Sequence, residues 1–281
     1  QRLDIGPERK RFGSSWMPIL FFLLLEVAVT MWGPIFSPLG RLPAAIGTML
    51  ASAVIGGIGW WFLRREGVKA ADIGLTKSNL LRAVVLFIGW WVVVTIVDLV
   101  GSDIARLLGF QLSPIEQDAW SSPMTVINVV RAFIFVGFAE EIAFRGYLQN
   151  KLIVVTKRRW LGIVLAALLF GLWHAPADIV GSGQILSPLL SDGLFFSLIG
   201  IVLLGLPYEW TGLLPFVALF HGWNDNLLLI TGHAPTWIGI VAGYALMFVA
   251  VWGYRRFASR RPKEKAQTSI DLERPAHHQA E

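Results

Sequence analysis

Long apolar runs recur along this chain, separated by short polar stretches that hold most of its basic residues. About 20 consecutive apolar residues suffice to cross the hydrocarbon core of a bilayer. The pattern predicts runs over residues 16–36, 42–63, 80–100, 125–155, 160–174, 189–206, 210–230 and 236–254. Glu26 falls inside the first run. The second carries no charge. Its Gly56, Gly57 and Gly59 are small enough for close helix approach, and Trp60-Trp61 marks an interface. Arg82 and Asp98 lie near the ends of the third run, where they are expected to snorkel. Residues 101–123 read as a mixed connector. Pro176 is expected to break the fifth run, leaving residues 177–188 as a loop or unwound piece. Asp192 sits near the start of the sixth. The fold class that follows is all-α: a polytopic membrane protein of about eight transmembrane helices with an intramembrane polar site.

Composition agrees with this picture. The 281 residues are 55% hydrophobic and 15% charged, with a mean hydropathy of +0.60, against about 25% charged residues in soluble chains. One membrane domain over 16–254 is the simplest division. Residues 1–15 then form a cytoplasmic N-terminal segment, and 255–281 a basic, disordered cytoplasmic tail. The first run is too long for a signal-peptide core and no small-residue cleavage site follows it, so it reads as a retained helix. An even number of runs puts both termini on one side. The basic clusters at 9–11, 64–69, 157–159 and 255–263 then share that side, which makes it cytoplasmic. The location expected is an integral, multi-pass membrane protein, in the plasma membrane if the source is bacterial. The net charge of +5 is explained by anionic headgroups, so the partners expected include membrane lipid and no nucleic acid. The absence of cysteine removes thiol nucleophiles, thiolate metal sites and disulfides.

Three polar clusters interrupt the apolar second half. The first is Glu140-Glu141-x-x-x-Arg145. Ionisable groups inside a membrane are costly and mark functional sites by default. Glu141 and Arg145, four apart, share a helix face in the favourable order. Glu140 is rotated by roughly 100° and is left without that partner. The second cluster runs from Phe170 through His174 to Asp178, and the third is His221-Gly222-Trp223-Asn224-Asp225-Asn226. His221 and Asp225 again share a face. The three clusters meet near one depth if the fourth run continues to about residue 155. Read structurally, the first is a buried ion network, the second an interfacial histidine, and the third interhelical hydrogen-bonding glue.

Two histidines and several carboxylates at one depth suit general-base activation of water. They equally suit a divalent metal such as zinc, held by Glu140, His174, His221 and Asp225, or a proton-coupled transport site. A carrier would show repeat symmetry, and none is visible. No His-Glu-x-x-His, Gly-x-Ser-x-Gly, Walker or dinucleotide-binding pattern occurs. Gly181-Ser182-Gly183 offers a serine for a Ser–His pair with His221, but such a triplet is far more often a loop.

The order and spacing of the motifs at 140–145, 170–174 and 221–225 resemble the CAAX-prenyl-protease and bacteriocin-processing (CPBP, or Abi) family of intramembrane proteases over roughly residues 120–230. The resemblance implies an eight-helix endopeptidase. Glu140 would activate water with help from His174, and His221 with Asp225 would bind the developing oxyanion. Glu141, Arg145, Phe170 and Asp178 would support the site. The family has been described both as glutamic and as metal-dependent proteases. The glutamic form is favoured here, with no cofactor, because Glu141 is occupied by Arg145. Asn is common in the family where Asp225 stands. An ionised carboxylate repels an oxyanion, which needs donors. Asp225 is therefore a neutral acid, or it orients His221, or Asn224 supplies the donor. The substrate implied is a CAAX-type lipidated protein or another membrane-associated peptide. The alternative is a non-enzymatic scaffold or immunity-type binding protein on the same fold.

Overall fold

Every long element of the computed structural model is a helix. The residues described are 12–16, 19–20, 22–24, 35–112, 125–226 and 236–258. Helix α1 is Arg41–Arg65 and α2 is Lys77–Leu107. Helix α3 covers 125–156 in four joined stretches: α-helical Thr125–Val130, π-helical Arg131–Glu140 and Ile142–Gln149, then α-helical Asn150–Thr156. Helix α4 is Arg159–Ser182, α5 is Leu186–Thr211 with two further π stretches, α6 is Leu214–Asn226, and α7 is Trp237–Ala258.

Five helices are long and apolar enough to cross a membrane, and they coincide with α1, α2, α4, α5 and α7. The expected first run, with Glu26, lies mostly outside the described residues. Helix α3 is divided by its π stretches, and α6 is described over 13 residues only. Against the expected count of about eight, five spans of full length stand among the described residues.

Helix α3 is the centre of the molecule. Residues 143–153 are all buried, while the outer helices present large apolar side chains such as Leu81, Val85, Leu198 and Val241 outward. Helix α1 packs along both central π stretches, α6 on the first and α4 on the second. Helix α2 joins α6 to α7. Small residues set the closest approach. A Cβ placed on Gly56 would lie 2.6 Å from the Cβ of Ala139, and one on Gly59 would lie 2.6 Å from the Cα of Ala143. Gly57, the third of that expected set, faces open space.

A π-helix bonds each N–H one residue further back than an α-helix does, so the return to α geometry at Asn150 needs extra donors for main-chain carbonyls. Asn150 Nδ2 donates to the carbonyls of Arg145 (3.0 Å) and Gly146 (2.9 Å) and to the Tyr208 hydroxyl (3.1 Å). Gln149 Nε2 donates to the Gly205 carbonyl at 3.2 Å, tying α3 to α5.

Two expectations are corrected. Pro176 does not end the fifth run: α4 continues to Ser182 and closes on Gly183 at φ +68°. A membrane helix tolerates proline because neighbours re-satisfy the freed backbone groups. Ser182 donates to the Asp178 carbonyl at 2.6 Å, within its own helix, rather than to His221. Asp98 does not snorkel. It is only 3% exposed, because α2 continues to Leu107 and Asp98 caps the start of α7. Its Oδ1 accepts from the Thr236 hydroxyl and from the main-chain N–H of Gly239 (2.7 Å) and Thr236 (3.2 Å). A carboxylate is favourable there because it meets the orphan N–H groups and positive end of the helix.

Candidate active site

The site forms where α3 meets α1, α4 and α6. Glu141 is fully buried, and a buried charge is tolerated only when paired and hydrogen-bonded. Its Oε1 accepts from Arg145 Nη1 at 2.7 Å and from His221 Nδ1 at 2.8 Å. The first bond is the expected i, i+4 pair. The second joins α3 to α6. Because an ionised carboxylate only accepts, Nδ1 of His221 carries hydrogen. Its other nitrogen, Nε2, lies 3.7 Å from Asp225 Oδ1.

Phe170 is the apolar wall of this cluster. The Arg145 guanidinium sits 4.2 Å from its ring centroid, a distance at which the ring face attracts a cation. Arg145 also reaches the Gly200 carbonyl of α5 at 3.4 Å. The His221 ring meets Phe170 edge to face at 5.7 Å, and the His174 ring does so at 4.9 Å. His174 donates from Nδ1 to the Phe170 carbonyl at 2.9 Å and stacks on Phe196 of α5 at 4.1 Å. Both histidines therefore flank one phenyl ring.

Glu140 differs from its neighbour. It is buried, and its Oε1 accepts from the Ser52 hydroxyl of α1 at 3.2 Å. Among the described residues, Glu140 Oε2 and Glu141 Oε2 are buried oxygens with no hydrogen-bond partner. His221 and Asp225 are both close enough to act electrostatically on Glu140. The structure thus gathers Glu140, Glu141, Arg145, Phe170, His221 and Asp225, with His174 beside Phe170. Three placements differ from expectation. His221 binds Glu141 rather than facing Glu140 alone. Asn224 is turned to α7, where its Oδ1 accepts from the Tyr244 hydroxyl at 2.6 Å. Asp178 is exposed, one turn beyond His174.

Among the described residues, no group of three or more His, Asp or Glu side chains is placed to hold a metal ion.

The sequence reading passed over Ser52, Tyr244, Phe196 and Arg131. Ser52 carries a faint signal as a polar residue inside an uncharged run. Arg131 carries a strong one, being a charge at the seventh position of an apolar run, and such charges are functional candidates by default.

Residues 122–227 match the family model described as Type II CAAX prenyl endopeptidase Rce1-like. That segment contains all three motifs, and the match bears out the resemblance they carry. No curated protein and no solved structure matches the chain significantly. The protein is a multi-pass membrane protein, and its residues 122–227 are similar to that protease family.

Proposed function

We propose that the protein is an intramembrane endopeptidase in which Glu140 activates the attacking water. The domain match supports the protease class. One observation carries the assignment of roles: among the described residues, Glu141 is bound by Arg145 and His221, while Glu140 receives the Ser52 hydroxyl alone and keeps a buried oxygen without a donor. A water donating to the bare oxygen of Glu140 would satisfy it.

In this reading Glu140 takes a proton from that water, and the hydroxide adds to the scissile carbonyl carbon. His221, steadied by Glu141 at Nδ1 and flanked by Asp225 at Nε2, faces the oxyanion as a cation. His174 assists Glu140 in activating the water. Glu140 then returns the proton to the leaving nitrogen, the C–N bond breaks, and a carboxylic acid and an amine result. Water is the only co-reactant. The substrate proposed is a CAAX-type lipidated tail or another membrane-associated peptide, reached from the cytoplasmic half of the bilayer with both chain termini on that side. Lipid is the other partner.

The test uses wild type and Glu140→Gln in proteoliposomes with a farnesylated CAAX peptide as probe, alongside a comparison of membrane proteomes. Wild type is expected to produce new peptide termini that the variant does not. Equal cleavage by both would overturn the role of Glu140. Activity lost to a chelator and restored by zinc would replace the metal-free route.

A further inference from the structure

One buried ion pair takes no part in the candidate site. Lys151 of α3 is 1% exposed and Glu66 is 12% exposed, and Nζ lies 2.7 Å from Oε1. A lysine is almost never fully buried unless it is paired. Glu66 follows Arg65 at the end of α1. The helix dipole favours cations there, so helix stability does not call for an acid at this position.

What the pair holds is main chain. Lys151 Nζ donates to the Gly13 carbonyl at 2.7 Å, and the Gly13 N–H donates to Glu66 Oε2 at 2.8 Å. Both main-chain polar groups of a residue just before the first apolar run are thus taken up by one ion pair. Phe12 beside it is buried, with its ring 6.4 Å from that of Tyr147. The Tyr147 hydroxyl donates to Glu66 Oε1 at 3.3 Å. Tyr147 and Lys151 are four apart on α3 and share a face.

From Tyr147, ring contacts continue to the candidate site. Tyr147 meets Phe22 at 5.4 Å, Phe22 meets Phe144 at 6.2 Å, and Phe144 meets Phe170 at 5.0 Å. Phe170 is the ring flanked by His174 and His221. All four rings are buried, and close-packed interiors transmit displacement because they hardly compress. Gly13 itself is exposed. Water can therefore take its place between Lys151 and Glu66 while the ion pair stays closed, which gives the segment a latched and a released arrangement.

We infer that Glu66 and Lys151 form a latch for the segment before the first apolar run, and that the latch sets the seat of Phe170 between the two histidines through the Tyr147, Phe22 and Phe144 rings. Lys151, Glu66 and Phe12 are positioning residues in this device. Only its kinetic consequence rests on the endopeptidase reading.

The chain has no cysteine, so Ser14→Cys gives a single attachment point for a nitroxide label beside the latch, at an exposed residue. In proteoliposomes the label is expected to be motionally restricted in the otherwise native protein and mobile in Lys151→Met and in Phe12→Ala. Phe12→Ala leaves the ion pair whole, so it reports release without a buried charge left unpaired. Equal label mobility in the native background and both variants would overturn the latch. The coupling is read without substrate from protein labelled with ¹⁵N-histidine. The His174 and His221 ring signals, assigned by His→Gln variants, are expected to shift in Phe12→Ala. A mobile label with both signals unmoved would overturn the coupling.

On the farnesylated peptide, Phe12→Ala and Lys151→Met are each expected to lower kcat by about 2–30-fold, the span usual for residues that modulate a site without touching its ligand, with KM unchanged. Lys151→Arg, which keeps the charge and the donors, is expected to retain most of the rate. A raised KM at unchanged kcat would overturn the coupling to the histidines. If wild type cleaves nothing, the endopeptidase reading fails, and the label and the histidine signals still decide the latch.

Discussion

Asp98 and Glu140 are both buried carboxylates on apolar helices, and they differ in how many donors reach them. Asp98 accepts from the Thr236 hydroxyl and from the N–H groups of Thr236 and Gly239. Glu140 accepts one hydroxyl at 3.2 Å, and its second oxygen has no partner among the described residues. A buried polar atom without a partner costs free energy, and native structures keep few of them. Asp98 is a joint: it fixes α2 to the start of α7, and its chemistry is used up in doing so. Glu140 keeps an oxygen available for something the protein does not supply. Glu141 stands between these cases, with one oxygen tied to Arg145 and His221 and the other bare. Membrane depth and burial alone do not separate joint from reagent. The donor count does.

The largest effect expected from this contrast is kinetic. Glu140→Gln should lower turnover by about 10²–10⁴-fold, the usual contribution of a general base, while the thermal midpoint in detergent stays level or rises. A large fall in the midpoint would make Glu140 another joint. Glu141→Gln should affect both properties, because it leaves Arg145 without its carboxylate. Breaking one side of a buried pair costs about 3–5 kcal/mol, read as a lowered denaturation midpoint together with lost turnover. A stable Glu141→Gln variant would show that Arg145 finds another acceptor. Asp98→Ala should cost about 1–3 kcal/mol through donors left buried and unpaired, with turnover per folded molecule kept. Loss of turnover at full stability would place Asp98 on the catalytic side. The smallest effect belongs to Ser52→Ala. Hydrogen bonds between membrane helices average about 0.6 kcal/mol, so stability should hardly change and turnover should shift only modestly. A loss as large as that of Glu140→Gln would mean that Ser52 takes part in the chemistry.

Much of this arrangement was legible in the sequence, because membrane helices announce themselves by composition. The edges of α1, α3 and α7 fell within a few residues of the hydropathy pattern, and the i, i+4 pairing of Glu141 with Arg145 follows from helix geometry alone. The C-terminal edge of α4 did not, since proline is a stop signal in water and a tolerated residue in a bundle. Asp98 was misplaced for a related reason. Hydropathy reports where a run loses its apolar character, while α2 continues for two turns past that point. The bond from His221 to Glu141 was out of reach because it crosses between helices 80 residues apart, where periodicity carries no information. Asn224 and Asp225 are adjacent in sequence, but only packing against α7 shows that one turns to Tyr244 and the other stays with His221.

The two π stretches of α3 carry one more consequence. Each turn of a π-helix holds more residues than an α turn, so the path from Arg131 to Gln149 is keyed to the number of residues in it as much as to their kind. Removing one residue between Ala132 and Phe138 would relax a π turn to α and rotate everything on one side by roughly 100° relative to the other. Gly137 would then no longer lie against Ala218 while Glu141 faced His221, although every motif residue remained. In this span a single deletion at a featureless alanine or phenylalanine is expected to be as damaging as a substitution of a charged residue, whereas the same deletion in the loop at Gln184 should pass with little effect.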